Sequence, residues 1–252
     1  MRQAGETLED LLGGGLRILQ KKKGYRFSLD ALLLAHFICL RGNEPALEFG
    51  SGSAVIPILL QHRYGRKKII GIEIQEDLAH MARRNVRINA MEDRIDILAG
   101  DIRNIRTFIK PRSCRVVFFN PPYRKASSGR VNPDRERAVA RHEIKGTVGD
   151  FLAAARYVLK ETGSVFVIYP ASRLVELLHQ MRLNLLEPKR LRMVHTRASS
   201  EAVFALVEGV MEGGEELKVL PPLFIYGGEG SYSDEMKALF REISGDPPSS
   251  GE

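Results

Sequence analysis

The stretch Ala46-Leu47-Glu48-Phe49-Gly50-Ser51-Gly52-Ser53-Ala54-Val55 decides the fold. It reads as a short apolar strand, a glycine-rich turn and the start of a helix. In doubly wound sheets such a turn lies at the carboxyl end of a strand, where the backbone can approach a ligand closely. A dinucleotide fingerprint would place a third glycine at position 55, where Val55 stands. That weakens a nicotinamide reading. Taken alone, the segment is equally a plain strand-to-helix connection.

Outward from this turn, apolar strands alternate with helical segments. On the N-terminal side, Leu29–Leu40 is apolar with helical character, with Ser28 as N-cap. On the C-terminal side the pattern predicts helices over 54–63, 76–90, 147–159 and 173–183. Strands are predicted over 45–49, 68–73, 94–98, 115–119 and 164–169. Two further strands, 191–195 and 202–208, follow each other with no helical pattern between them, which predicts an antiparallel terminal hairpin. The whole is an α/β chain, a largely parallel sheet with helices on both faces. We expect a single domain over 1–244 with an N-terminal extension (1–44) and a long basic loop (124–146). The Gly-, Pro- and Ser-rich end, 245–252, is expected to be a mobile tail.

Composition narrows the class. The chain has 252 residues and 44% hydrophobic residues, enough for a sizeable core. Its longest apolar stretches are too short or too interrupted to span a bilayer. Its first residues lack the apolar core of a signal peptide. Cys39 and Cys114 lie in apolar surroundings and read as reduced core residues. These features predict a cytoplasmic protein. The formal net charge of +7 suits either a polyanionic partner or solubility alone.

Two carboxylates strengthen the cofactor reading. Glu73 closes the second core strand, where it can accept both hydroxyls of a ribose. Asp101 follows the third, where it can accept from an adenine amino group. Each alone is equally a solvated acid at a strand end. Together with the turn they place turn, acid and acid at three successive strand ends.

Asn120-Pro121-Pro122-Tyr123 directly follows the fourth strand. The nitrogen of an sp2 amine is a poor nucleophile because its lone pair is delocalised. The Asn120 side-chain oxygen and the Pro121 carbonyl can accept from such an amino group and favour in-line attack. The two prolines stiffen the turn, and Tyr123 offers a ring for stacking. No metal and no covalent intermediate are called for.

On these residues the chain resembles the class I S-adenosylmethionine-dependent methyltransferases. The resemblance implies a seven-stranded, Rossmann-like sheet with an antiparallel last strand. It implies S-adenosylmethionine as cofactor, held by Glu48, Gly50, Ser51, Gly52, Glu73, Ile74, Asp101, Ile102 and Asn120. The catalytic residues would be Asn120, Pro121, Pro122 and Tyr123. This tetrapeptide is similar to the signature of amino methyltransferases acting on adenine, cytosine, guanine or glutamine nitrogen.

The stretch after the motif bears on the substrate. Arg124, Lys125, Arg130, Arg135, Arg137, Arg141 and Lys145 crowd one side of the expected site. They would contact a phosphate backbone, and a target base would be flipped out to reach Asn120. The alternative is a solvated loop balanced by Asp134, Glu136 and Glu143. Over roughly residues 16–232 the chain also resembles a narrower family, the bacterial tRNA1(Val) adenine-37 N6-methyltransferases. The resemblance rests on Gly24-Tyr25-Arg26-Phe27-Ser28-Leu29-Asp30-Ala31, the tetrapeptide and Ala140-Arg141-His142-Glu143. Val194-His195-Thr196-Arg197-Ala198 and Pro221-Pro222-Leu223 complete it. It implies that Phe27, Ser28 and Asp30 lie near the methionine end of the cofactor, and that the partner is tRNA. Glu48 and Ser51 stand where relatives often carry Asp and Thr. A glutamine N5-methyltransferase acting on a translation protein, or an enzyme of another RNA base amine, shares the tetrapeptide and remains open.

Overall fold

The computed structural model describes residues 2–11, 15–22, 29–42, 44–65, 68–121 and 146–244. In chain order the strands are β1 (Glu6–Leu11), β2 (Leu16–Lys21), β3 (Ala46–Phe49), β4 (Ile69–Glu73), β5 (Ile95–Ala99) and β6 (Cys114–Phe119). Then come β7 (Leu159–Pro170), β8 (Leu186–His195), β9 (Ala202–Met211), β10 (Lys218–Val219) and β11 (Leu223–Phe224). The helices are α1 (Leu29–Phe37), α2 (Val55–Tyr64), α3 (Glu76–Ile88), α4 (Val148–Val158), α5 (Leu174–Leu183) and α6 (Asp234–Ser244).

The main sheet runs β10-β8-β9-β7-β6-β3-β4-β5, with β11 also on β8. Strands β3 to β7 pair in parallel, whereas β9 is antiparallel to both β7 and β8. The expected seven-stranded core with an antiparallel last strand is therefore present. Two-residue β10 and β11 extend it to nine strands by pairing with β8.

Period-two alternation sorts the strand residues between two cores. Val116, Phe118, Phe166 and Ile168 face α1, α2, α3 and α6. Val117, Phe119, Val165 and Val167 face α4 and α5. Strands buried on both faces read as unbroken apolar runs, which is why 115–119 was so plain in the sequence.

Several boundaries differ from expectation for local reasons. α1 stops at Phe37, three residues early. Its last carbonyls are taken by α2 side chains, with Arg63 Nη1 donating to His36 O at 2.9 Å and the Tyr64 hydroxyl donating to Ile38 O at 3.0 Å. α4 begins at a capping box in which Thr147 and Asp150 bond each other reciprocally. β7 starts five residues earlier than expected because Leu159 pairs with Cys114 across an irregularity in β6. β8 likewise starts at Leu186, and its register shifts between Pro188 and Arg190, as a strand residue without an N–H demands.

The antiparallel pair β1–β2 is new relative to the expectation of an N-terminal extension. It lies on α3, and the attachment has a simple geometry. Asn85 Oδ1 accepts from Leu19 N at 2.7 Å, and its Nδ2 donates to Leu19 O at 3.1 Å. Asn89 does the same with Arg17, at 2.9 and 2.8 Å. Four helical residues rise about 6 Å and two strand residues about 6.7 Å, so the two amides meet alternate residues of β2. The helix thus serves β2 as a substitute neighbouring strand. A bidentate pair, Arg84 with Glu6 (2.8 and 2.6 Å), fixes β1 beside it.

Candidate active site

The strand register brings three of the expected site residues, Asn120, Gly50 and Glu73, to one level. Phe49 pairs with Phe119 on one side and Ile72 on the other, and Ile72 pairs with Leu98. One residue beyond that row come Asn120, Gly50, Glu73 and Ala99, at the carboxyl ends of four adjacent strands. The rings beneath support them. Phe49 and Phe119 stack at 6.3 Å, and Phe151 of α4 lies 5.1 Å from Phe119.

The turn after β3 is bound to β4. Gly50 N and Ser51 N both donate to Ile72 O, at 2.8 and 3.1 Å. Gly50 and Gly52 have φ of 72° and 56°, the left-handed region that explains both glycines. Ala54 shares that conformation with φ 63° and leads into α2. So the third left-handed residue of the turn is alanine, one position before Val55.

Glu73 is 4% exposed and does more than end a strand. Its Oε2 accepts from Gly52 N at 2.8 Å, and its Oε1 accepts from Gln75 N at 2.9 Å and weakly from Gln75 Nε2 at 3.4 Å. The carboxylate therefore joins the turn to the loop leading into α3. Ile74 is half-buried beside it. From the other side, Asn85 Nδ2 donates to Ser53 O at 2.9 Å.

Asp101 caps the 3-10 turn Ile102–Thr107 by accepting from Arg103 N at 2.9 Å. The Arg103 guanidinium grips the same carboxylate through Nε and Nη2 and holds it below the usual carboxylate range. Ile102 is buried.

Glu48 is 2% exposed, and its Oε2 has no hydrogen-bond partner among the described residues. Burial pushes its carboxyl up to about 8, the nearby Ser51 hydroxyl opposes this, and the Glu73 charge adds to it. The Ser53 hydroxyl is also buried without a partner among the described residues. Buried polar atoms left open at one turn mark a place built for a polar ligand.

Asn120 Nδ2 donates to Asp30 Oδ2 at 3.0 Å, and Asp30 Oδ1 accepts from Ala31 N at 2.9 Å. Asp30, from the first turn of α1, thus meets Asn120 directly. Pro121 is buried next to Asn120. Phe27, Ser28, Pro122, Tyr123, Arg124, Lys125, Arg130, Arg135, Arg137 and Arg141 lie outside the described residues. His195, in the motif at 194–198, approaches Ser200 O at 2.8 Å through Nδ1 and lies against Phe224.

Sequence reasoning missed Gln75, Asn85 and Arg103. Only Asn85 carried a signal. It is a polar residue on the apolar face of α3, among Leu78, Ala79, Met81, Ala82 and Val86, and such a residue needs partners in the core.

Among solved structures, the fold is similar to a predicted O-methyltransferase from Agrobacterium tumefaciens. Its TM-score is 0.69 at 18% identity, covering 85% of this chain and 96% of that one. A SAM-dependent methyltransferase from Aquifex aeolicus matches with a TM-score of 0.53 at 14% identity, over 72% and 89% of the two chains. Among curated proteins, a tRNA1(Val) (adenine(37)-N6)-methyltransferase of Porphyromonas gingivalis is 31% identical over 161 residues, 60% of this chain and 61% of that relative. One of the same name from Actinobacillus pleuropneumoniae is 24% identical over 225 residues, 88% and 91% of the two. The match spans 61%, 52% and 65% of the first three curated relatives. The model of the methyltransferase small domain matches residues 28–184, more than half of the sequence. With the parallel sheet, the glycine turn and the strand-end acids already in place, the chain belongs to the methyltransferase small domain family, within the S-adenosylmethionine-dependent methyltransferases.

Proposed function

We propose that the protein methylates N6 of an adenine in tRNA, at a position like that beside the anticodon of tRNA1(Val). The observation that carries this reading is the register. It sets Asn120 level with Gly50 and Glu73, so an amide that can bind a planar amine stands beside the cofactor turn. The names of the relatives point to the same substrate.

The residues present suit S-adenosylmethionine. The unpartnered Oε2 of buried Glu48 and the Ser53 hydroxyl answer a ligand with an ammonium and a carboxylate. Glu73 would take the ribose. Three of its acceptor positions are occupied, and the Gln75 side chain, the weakest of the three donors at 3.4 Å, is the one a ribose hydroxyl would displace. Asp101, Ile74 and Ile102 would border the adenine, Phe27, Ser28 and Asp30 the methionine end.

When bound, the cofactor would supply a methyl group activated on a sulfonium, which the adenine N6 lone pair would displace from sulfur, with N6 then losing a proton to water. Asn120 Oδ1 and the Pro121 carbonyl accept from the amino group and aim its lone pair. By their residue types Pro122 would stiffen the segment after Pro121 and Tyr123 would offer a ring to the flipped base. Arg124, Lys125, Arg130, Arg135, Arg137 and Arg141 neutralise the RNA backbone.

The test is incubation with methyl-labelled cofactor and bulk tRNA from a strain lacking the modification, followed by nucleoside mass spectrometry. N6-methyladenosine is expected. Unlabelled RNA together with labelled glutamine in a translation factor would overturn the reading.

A further inference from the structure

We infer that Asp30 is a positioning residue that fixes which end of the Asn120 amide meets the substrate. The inference rests on the reading above and names what orients its central side chain.

The two ends of a carboxamide have nearly the same shape and opposite hydrogen-bond character. Rotating the Asn120 amide by half a turn would replace an acceptor by a donor and set N–H against the N–H of the target amine. An ionised carboxylate can only accept. Asp30 Oδ2, 3.0 Å from Asn120, therefore selects Nδ2 for itself and turns carbonyl Oδ1 to the opposite side. The selection is firm because Asp30 is itself held. It is 6% exposed, its Oδ1 accepts from Ala31 N, and it lies in the first turn of α1, where the helix dipole favours a negative charge. α1 is in turn anchored under the sheet, with Phe37 edge-on to Phe166 of β7 at 6.0 Å. A helix ninety residues upstream thus sets the polarity of an amide that follows β6.

An apolar pairing would hold the two segments together as well as this part-buried contact does. What the carboxylate adds is direction, and that difference can be tested.

Methyl transfer to tRNA is measured for the wild type, Asp30→Ala, Asp30→Asn, Asn120→Asp and the double variant Asp30→Asn/Asn120→Asp. Cofactor affinity is measured by calorimetry and stability by thermal unfolding. Asp30→Ala should lower kcat about 10- to 100-fold with the RNA KM changed by less than about threefold, and the kcat loss should exceed at least about tenfold any weakening of the cofactor, whose methionine end Asp30 also borders. Asp30→Asn should recover part of the loss, since its own carbonyl can still accept from Asn120. Asn120→Asp faces one carboxylate with another. The double variant should exceed it at least about tenfold, because the new amide at 30 can donate to the new carboxylate at 120. Wild-type kcat in Asp30→Ala, or a loss matched by cofactor affinity and stability, overturns the inference. So does a double variant no better than Asn120→Asp. If the wild type itself leaves tRNA adenine unmethylated, it is the functional reading that fails. The orientation is then read from the Asn120 side-chain amide in nitrogen-15 NMR. It should be protected from exchange in the wild type and exposed in Asp30→Ala, and equal exchange in both overturns the inference.

Discussion

Asn85 Nδ2 donates to the carbonyl of Ser53 at 2.9 Å, which ties the middle of α3 to the glycine-rich turn. The same amide holds Leu19 of β2 through two more bonds. One fully buried side chain thus joins the N-terminal strand pair, a core helix and the turn.

Asn85→Ala leaves an N–H and two carbonyls buried without partners. It should cost about 3 kcal/mol of stability in chemical denaturation. Because Ser53 loses its anchor, cofactor binding should weaken about tenfold in calorimetry. Unchanged affinity beside a lowered stability would confine Asn85 to holding the hairpin.

The Glu48 carboxyl predicts a pH dependence. Its value of about 8 in the fold lies above the ordinary value of 4.5. Its contribution to stability is therefore complete below about pH 4.5 and is lost as the pH climbs through about 8. The slope cannot exceed about 1.4 kcal/mol per pH unit for one proton. Glu48→Gln should remove this component from the unfolding curve of the ligand-free protein. If Glu48 meets the cofactor ammonium, cofactor binding at pH 7 releases close to one proton in the wild type and almost none in the variant. Calorimetry in buffers of differing ionisation heat reads this directly.

Arg84→Met should loosen β1 and β2 without touching the sheet. The guanidinium holds Glu6 below the usual carboxylate range, so the pair stabilises above about pH 4.5 and fades in acid. Truncation should cost roughly 2 kcal/mol. Hydrogen exchange should quicken in residues 6–11 and 16–21 and remain unchanged in β6 and β7. Uniform quickening would refute a local effect.

Gly71 of β4 lies against the turn. A methyl group there would collide with the Ser51 hydroxyl and come within 2.8 Å of Ile97 Cδ1. Gly71→Ala should cost about 1–3 kcal/mol and weaken cofactor binding. Adding Ser51→Gly should recover much of the affinity. No recovery would mean that Ile97 is the dominant obstacle.

The central strands could be read because burial on both faces leaves an apolar run that needs no partner to interpret. The strand-end residues Glu73, Asp101 and Asn120 stood out for a related reason. Each stands where such a run stops, and each is a type that bonds a ligand. The hairpin was not legible. β1 is Glu6-Thr7-Leu8-Glu9-Asp10-Leu11, and what makes its inward Glu6 acceptable is Arg84, far along the chain. The two-residue β10 and β11 are too short for any period, and they exist because β8 offers an open edge. α6 carries Met236, Leu239 and Phe240 at helical spacing and could in principle have been seen. The contact between Asp30 and Asn120 belongs to tertiary structure alone. The sequence shows two suitable residues, and only the fold shows that they meet.

Strand β8 is the outermost long strand, and its ten residues are covered by two short patches. β10 takes Arg190 and Leu191, and β11 takes Val194 and His195. A bare edge of that length is a template for another chain to add to. The segment after β9 thus covers, like a guard, an edge to which another chain could otherwise add. Arg192, in the gap between the patches, binds Pro221 O and Glu235, so the guard is latched to the strand it covers. A change that frees residues 217–225 from β8 would then show itself first as poor solubility, before any loss at the strand ends that carry Gly50, Glu73 and Asn120.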